Sequence, residues 1–246
     1  MRLNLLLFLF IVGFSAFSQQ GVYLEYKLSS NENPNIGFLK AYAAQGNSRS
    51  EAKFDIPGMG KNSFPSIGLF SADKPNEIIM LNPANKSYLV FPITMTNNSQ
   101  TKPPVITVVG KETVNGFNAT HIKINDNSSI QDWWVTTDIP QYEKFLQIKA
   151  SKQIGDDRYY KAMKAAGVAG MPCKIKSSQM GSTVTFELLK ATEMYIEPSM
   201  FKIPADYTQT QSVIPGLDID YSKMQNMTPE ERKKFIEEQV KKASGY

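Results

Sequence analysis

The chain has 246 residues, 41% hydrophobic and 20% charged, so it falls in the globular range and can bury one good core. Its formal charge is +4, or about +3 once Arg2 is removed, and the lysines are spread rather than clustered, which gives nucleic-acid binding no support. A single cysteine, Cys173, excludes an internal disulfide and leaves the core to hold the fold.

Residues 1–18 open with Arg2, run through Leu5-Leu6-Leu7-Phe8-Leu9-Phe10-Ile11-Val12, and end in Ala16-Phe17-Ser18. A basic start, a dozen apolar residues and small residues at the end read as a signal peptide cleaved before Gln19. The apolar run is shorter than the roughly 20 residues a membrane-spanning helix needs. A lipoprotein needs a cysteine at the start of the mature chain, and Cys173 is not there. The mature protein is therefore expected to be periplasmic or secreted and soluble, with no integral membrane segment.

In the mature chain, Val22, Leu24, Tyr26 and Leu28 alternate with Tyr23, Glu25 and Lys27, the period-two pattern of a half-buried strand. Two further strands are expected over Gly37 to Ala44 and Ser48 to Phe54. Pro57-Gly58-Met59-Gly60 and Pro65 then break regular structure and predict a loop. Glu77 to Leu81 and Ser87 to Phe91 flank Asn82-Pro83-Ala84-Asn85-Lys86 and predict a hairpin. After a polar stretch from Thr94 to Pro104, Val105 to Thr113 and Phe117 to Ile124 flank Asn115-Gly116, the strongest short hairpin signal. Ile130 to Thr137 reads as the next strand.

From Pro140 the texture becomes helical. Tyr142, Phe145, Leu146 and Ile148 fall near helical spacing, and Arg158 to Ala166 is rich in helix formers before Gly167, so two short helices are expected. Strands resume at Cys173 to Ser178 and Thr183 to Tyr195, where β-branched and aromatic residues recur. Pro198 to Pro204 closes the domain. In the tail from Gln209, Thr228-Pro229-Glu230-Glu231 supplies an N-cap, a first-turn proline and a capping-box glutamate, predicting a helix from about Pro229 to Lys242. The expected organisation is thus a signal peptide at 1–18, one domain at 19–208, and a tail at 209–246.

Chemical signatures are sparse. His121, the only histidine, lies on a predicted strand, so paired-histidine zinc sites and most acid-base triads are hard to assemble. The glycines of Pro57-Gly58-Met59-Gly60-Lys61 miss the spacing of a phosphate loop. Asp156-Asp157 and Asp218-Ile219-Asp220 lack the glycine-turned, oxygen-rich loop of a calcium site. There is no Gly-x-Ser-x-Gly elbow, and Cys173 has one histidine in the whole chain to work with. No catalytic residue, metal site or cofactor is expected. The adjacent Trp133 and Trp134 stand out, since alternation on a strand sends one ring to each face. One ring belongs to the core; the other is either covered by helix or tail, or forms part of a ligand surface. Met163, Val168 and Met171 supply adaptable apolar side chains in the predicted helical region, as core filler or ligand contacts.

Three stretches form a recognisable order: Asn82-Pro83-Ala84-Asn85-Lys86-Ser87-Tyr88, then Gly110-Lys111-Glu112-Thr113-Val114-Asn115-Gly116-Phe117-Asn118-Ala119, then Asp132-Trp133-Trp134-Val135-Thr136-Thr137-Asp138. Gly170-Met171-Pro172 entering a strand, the strand Thr183 to Tyr195, and Pro198-Ser199-Met200-Phe201-Lys202-Ile203-Pro204 with Tyr207 extend it. The pattern resembles the uncharacterised DUF4412 family of bacterial exported proteins over roughly residues 21 to 207. That resemblance implies a fold similar to the periplasmic lipoprotein carriers (LolA-like): a mostly β (α+β) half-barrel of curved antiparallel sheet, with short helices over its concave face. It further implies binding rather than catalysis, with a lipid or other hydrophobic ligand between sheet and helical lid, and Trp133, Trp134, Met163, Val168 and Met171 as candidate contacts. Two alternatives from other classes remain. One is an envelope interaction or sensing module using the C-terminal helix or a sheet edge to dock a partner protein. The other is a hydrolase built from scattered carboxylates with tyrosine or lysine, which would need a cleft of convergent polar groups.

Overall fold

A computed structural model describes residues 19–54, 66–92, 102–126, 129–143, 157–179 and 182–210, together with 227, 228, 231, 234, 235 and 238 of the tail. The expected signal at 1–18, the loop over Pro57 to Pro65, most of the first predicted helix and most of the tail lie outside the described residues.

Among the described residues, twelve strands form one open sheet. They are β1 (Gln19–Ser30), β2 (Gly37–Ala44), β3 (Asn47–Phe54), β4 (Ser66–Phe70), β5 (Glu77–Asn82), β6 (Ser87–Pro92), β7 (Val105–Val114), β8 (Phe117–Asn125), β9 (Ile130–Thr136), β10 (Met171–Gln179), β11 (Ser182–Ile196) and β12 (Thr208–Gln209). The spatial order is β12-β6-β5-β4-β3-β2-β1-β11-β10-β9-β8-β7. From β1 near the middle, the strands meander outward to β6, restart at the far edge with β7, and meander back until β11 pairs with β1. Only β12 runs parallel to its neighbour, pairing Thr208 with Ser87. Helix α1 (Asp157–Ala165) connects β9 to β10, and a 3-10 turn spans Pro198–Phe201.

The expected strands are present, and both predicted hairpins form, pairing Leu81 with Tyr88 and Val114 with Phe117. The second closes through Asn115 and Gly116 at φ 49° and 85°, two successive positive values that suit a tight two-residue hairpin turn. Two strands were not expected. β4 is five residues long with Gly68 at its centre, and β12 is a two-residue addition to β6; neither is long enough to show a period. In the tail, residues 231, 234, 235 and 238 are helical, and the expected capping box is formed: the Glu231 amide donates to Thr228 Oγ1 (3.3 Å) and the Thr228 amide to Glu231 Oε2 (2.7 Å).

The sheet is strongly bent at its β7–β11 end. In a flat sheet β8 and β11 are three strand spacings apart, about 14 Å. Yet Asn115, at the tip of the β7–β8 hairpin, donates from Nδ2 to the Leu188 carbonyl of β11 at 3.0 Å. Val114 and Ala119 accordingly share a core with Val22 and Leu24 of β1, Ala43 of β2, and Leu188. Three register irregularities lie in this half, leaving Leu189, Cys173 and Val109 without a strand partner. Bulges of this kind add local bend and twist.

Candidate functional site

On β9 the two tryptophans part as strand alternation requires. Trp133 and Val135 lie on one side with Ile122 and Ile124 of β8, and α1 covers them. The helix meets this patch through Met163, 3% exposed, and through Tyr159, whose ring stacks on Trp133 at 5.7 Å and 7°. Just past the helix, Val168 completes the cluster, and its amide donates to the Met163 carbonyl at 2.9 Å. Polar anchors hold the rim: Tyr159 donates its hydroxyl to Asp126, and Arg158 Nη1 donates to the Lys102 carbonyl at 3.2 Å. The helix exists here because its residues are good formers, and it stops at Gly167, where φ is 71°. Met163 is buried against the sheet and Tyr159 half-buried beside it, while Tyr160 on the outer side is exposed.

Trp134 faces the other way and is 8% exposed. His121 stacks on its ring at 4.3 Å and 10°, and Lys174 Nζ sits 5.0 Å from the ring centroid while pairing with Glu187 at 2.8 Å. His121 is itself engaged on both ring nitrogens, Nε2 by Asp132 at 2.8 Å and Nδ1 by Glu112 at 3.3 Å. Residues on five adjacent strands, β11-β10-β9-β8-β7, thus form one cross-strand row of Glu187, Lys174, Trp134, His121 and Glu112. With a carboxylate on each nitrogen, the imidazole is held in place against the indole. The indole Nε1 is buried and without a hydrogen-bond partner among the described residues. Trp134 and Met171 both join the core that contains Cys173 and Leu188, and the Cys173 thiol donates to the Trp134 carbonyl at 3.3 Å. Burial pushes that thiol up to about 11.

The five candidate contacts therefore divide. Trp133, Met163 and Val168 come together beneath α1, whereas Trp134 and Met171 belong to the neighbouring core. Sequence reasoning missed Tyr159, Ile122 and Ile124 as members of the helix-covered patch. The Ile122–Ile124 alternation carried that signal, but the partner of Tyr159 lies 26 positions away along the chain, with no local cue. Among the described residues there is no group of three or more histidine, cysteine, aspartate or glutamate side chains arranged to hold a metal, and no helix long and apolar enough to cross a membrane.

Fold and site together define an open, mostly β domain with one apolar face covered by a helix. The chain belongs to the DUF4412 family, a domain of unknown function, whose model matches residues 24–207; this is the family its turn and strand motifs indicate. Among solved structures it is similar to the complex of Pseudomonas aeruginosa MucA and MucB, at 10% identity and TM-score 0.42, covering 78% of this chain and 58% of that one. It is also similar to PNGF-II, at 14% identity and TM-score 0.40 over 78% of this chain and 31% of that one. A third is the Mycobacterium tuberculosis lipoprotein LppX, at 6% identity and TM-score 0.37 over 74% and 90%. The chain spans less than two thirds of the length of the first two. No curated protein matches it.

Proposed function

We propose that this is an exported, non-catalytic binding protein of the bacterial envelope, directed there by residues 1–18, which holds a lipid or other hydrophobic molecule between its sheet and α1. The observation that carries the reading is the seam itself. α1 meets the sheet through Met163 and Tyr159, with Val168 alongside, on an entirely apolar floor of Ile122, Ile124, Val135 and Trp133. That seam is closed by protein side chains, so α1 acts as a lid that lifts as a ligand enters. Exposing Met163 and Val168 costs about 3–6 kcal/mol at about 1.5–3 kcal/mol per side chain, and burying about eight methylenes at about 0.8 kcal/mol each offsets the upper figure. An acyl chain is the ligand class that supplies this.

Native mass spectrometry of the protein purified gently from its own envelope, with lipid extraction alongside, tests the proposal. The expected result is a co-purifying apolar molecule that exchanges faster from Tyr159→Phe, which removes the hydroxyl anchor to Asp126. A clean apo mass that persists after incubation with envelope lipid extract overturns it. That outcome transfers weight to an interaction module, a reading favoured by one observation: Val105, Val108 and Val109 are each more than half exposed on β7, the terminal strand of the sheet. An extended partner segment adds to such an edge by backbone pairing.

A further inference from the structure

The apolar floor beneath α1 continues past the helix. Val108 of β7, Ile122 of β8, Trp133 of β9, Ile175 of β10, Phe186 of β11 and Leu28 of β1 are partners in register, each directly opposite the next. Side chains directly opposite one another share a face, so six adjacent strands carry one unbroken apolar row. The chain neighbours Asp132, Lys174, Glu187 and Lys27 turn to the other face, where Lys174 pairs with Glu187 and Asp132 with His121. α1 covers the row at Ile122 and Trp133, whereas Ile175 and Phe186 stand outside that cluster and are half-buried. Leu28 is 6% exposed and ends the row, because its partner on β2, Gly37, has no side chain. At the opposite end Val108 is 52% exposed on the terminal strand. We propose that this row is a ruler for one extended acyl chain, in which Ile175 and Phe186 set the length accepted and the open end at Val108 takes a carboxylate headgroup. The inference rests on the lipid reading above and narrows its ligand to a long-chain fatty acid.

The length follows from strand spacing. Five intervals of about 4.8 Å make the row about 24 Å long. A zigzag of bonds about 1.5 Å long advances about 1.3 Å per carbon, so the row matches about 18 carbons. The two intervals from Val108 to Trp133 take up about eight of these, the number that offsets lifting α1. The carbons beyond them meet Ile175 and Phe186, which are already partly exposed, so they are buried without further opening. Each then tightens binding by up to about fourfold. Charge marks the open end. Ile122 and Thr120 alternate to the same face of β8, and Thr120 pairs with Lys111, so the exposed Lys111 lies on the acyl-chain side next to Val108. A carboxylate at the mouth meets that ammonium, while the methyl end of the chain stops at Leu28.

The full chain is titrated by calorimetry with decanoate, palmitate, stearate and behenate, each below its micelle concentration, and with stearyl alcohol. Affinity is expected to rise about a hundredfold or more from decanoate to stearate and to level off at behenate. Phe186→Asn should remove most of that rise while leaving decanoate, which ends short of Ile175, bound within about twofold. Ile175→Thr keeps a β-branched residue in the strand and serves as the milder second variant with the same expected result. Lys111→Gln should weaken stearate and leave stearyl alcohol unchanged. An affinity that already levels off at decanoate, or a rise to stearate that survives both row variants with their folds intact, overturns the ruler and leaves the lid reading standing. Equal effects of Lys111→Gln on the acid and the alcohol overturn the headgroup assignment. No binding of any chain length overturns the ruler and the lipid reading together.

Discussion

If α1 is a lid, it must open without the sheet unfolding, and Met163→Ala tests this directly. Met163 is 3% exposed and packs on Ile122, Ile124, Val135 and Val168. Truncating a buried methionine costs about 2–5 kcal/mol, and the lower figure applies where a neighbourhood can relax, as a short surface helix can. At about 1.4 kcal/mol per decade, 2 kcal/mol raises the population of the lifted state about thirtyfold. The assay is native-state amide hydrogen exchange. The amides of Ala166, Gly167 and Val168, bonded to the carbonyls of Ala162, Lys164 and Met163, report lid opening. Those of Glu187 and Leu188, on a strand paired on both sides by β1 and β10, report global unfolding. The lid mechanism predicts about thirtyfold faster exchange at the first set and little change at the second. Equal acceleration of both would show that α1 melts only with the sheet, and the lid would have to be abandoned.

Further outcomes follow from three particular sites. Gly170→Ala must force a Cβ to 2.1 Å from the Thr136 carbonyl at a φ of 118°, so a loss of about 3 kcal/mol or more is expected, visible as a melting temperature lower by about 6–12 °C. Cys173 is 0% exposed with its thiol raised from 9.0 to about 11, so iodoacetamide at pH 8 should leave the folded protein unmodified and react promptly after denaturation. Because the folded thiol holds its proton more tightly than the unfolded one, its contribution to stability is present below pH 9 and is lost as pH rises towards 11; in denaturant melts across that window wild type should lose stability relative to Cys173→Ala as pH rises. In the tail, hydrogen bonds from the Thr228 amide hold the Glu231 carboxyl below the usual carboxylate range, so this cap is present at neutral pH and fails as pH falls through the acid range. Circular dichroism of Glu231→Ala against wild type should show the helical signal reduced at pH 7 and the difference vanishing in acid.

Much of this fold was legible because it is built from neighbours in sequence. The pairs β5–β6 and β7–β8 are hairpins whose turns announce themselves, and Asn115-Gly116 adopts the two positive φ values that its residue types permit at low cost. What local pattern could not supply was long-range. β4 is too short for a period, and its centre, Gly68, reads as a breaker. β12 consists of two residues whose place is set by backbone bonds from Thr208 to Lys86 and from Thr210 to Tyr88. Sheet order is likewise non-local: nothing near Gln19 says that β1 will sit between β2 and β11.

The same distinction explains why the candidate contacts divided. Strand alternation alone sends Trp133 and Trp134 to opposite faces, and the structure does so. Grouping Met171 with Met163 required knowing how the chain turns between α1 and β10, where Gly170 adopts a φ of 118° and Cys173 is passed over in the pairing with β9. That bulge lets Cys173 and Met171 share a core with Trp134, while Met163 stays on the helix-covered side with Trp133. The hairpin tip then folds back, through Asn115 and Leu188, to bury that core from the far side. The core around Trp134 is thus held from several strands, and the patch around Trp133 by one short helix. A ligand that needs space between sheet and helix therefore finds the lower opening cost at Trp133, and Trp133→Ala should disturb binding at a smaller cost in stability than Trp134→Ala.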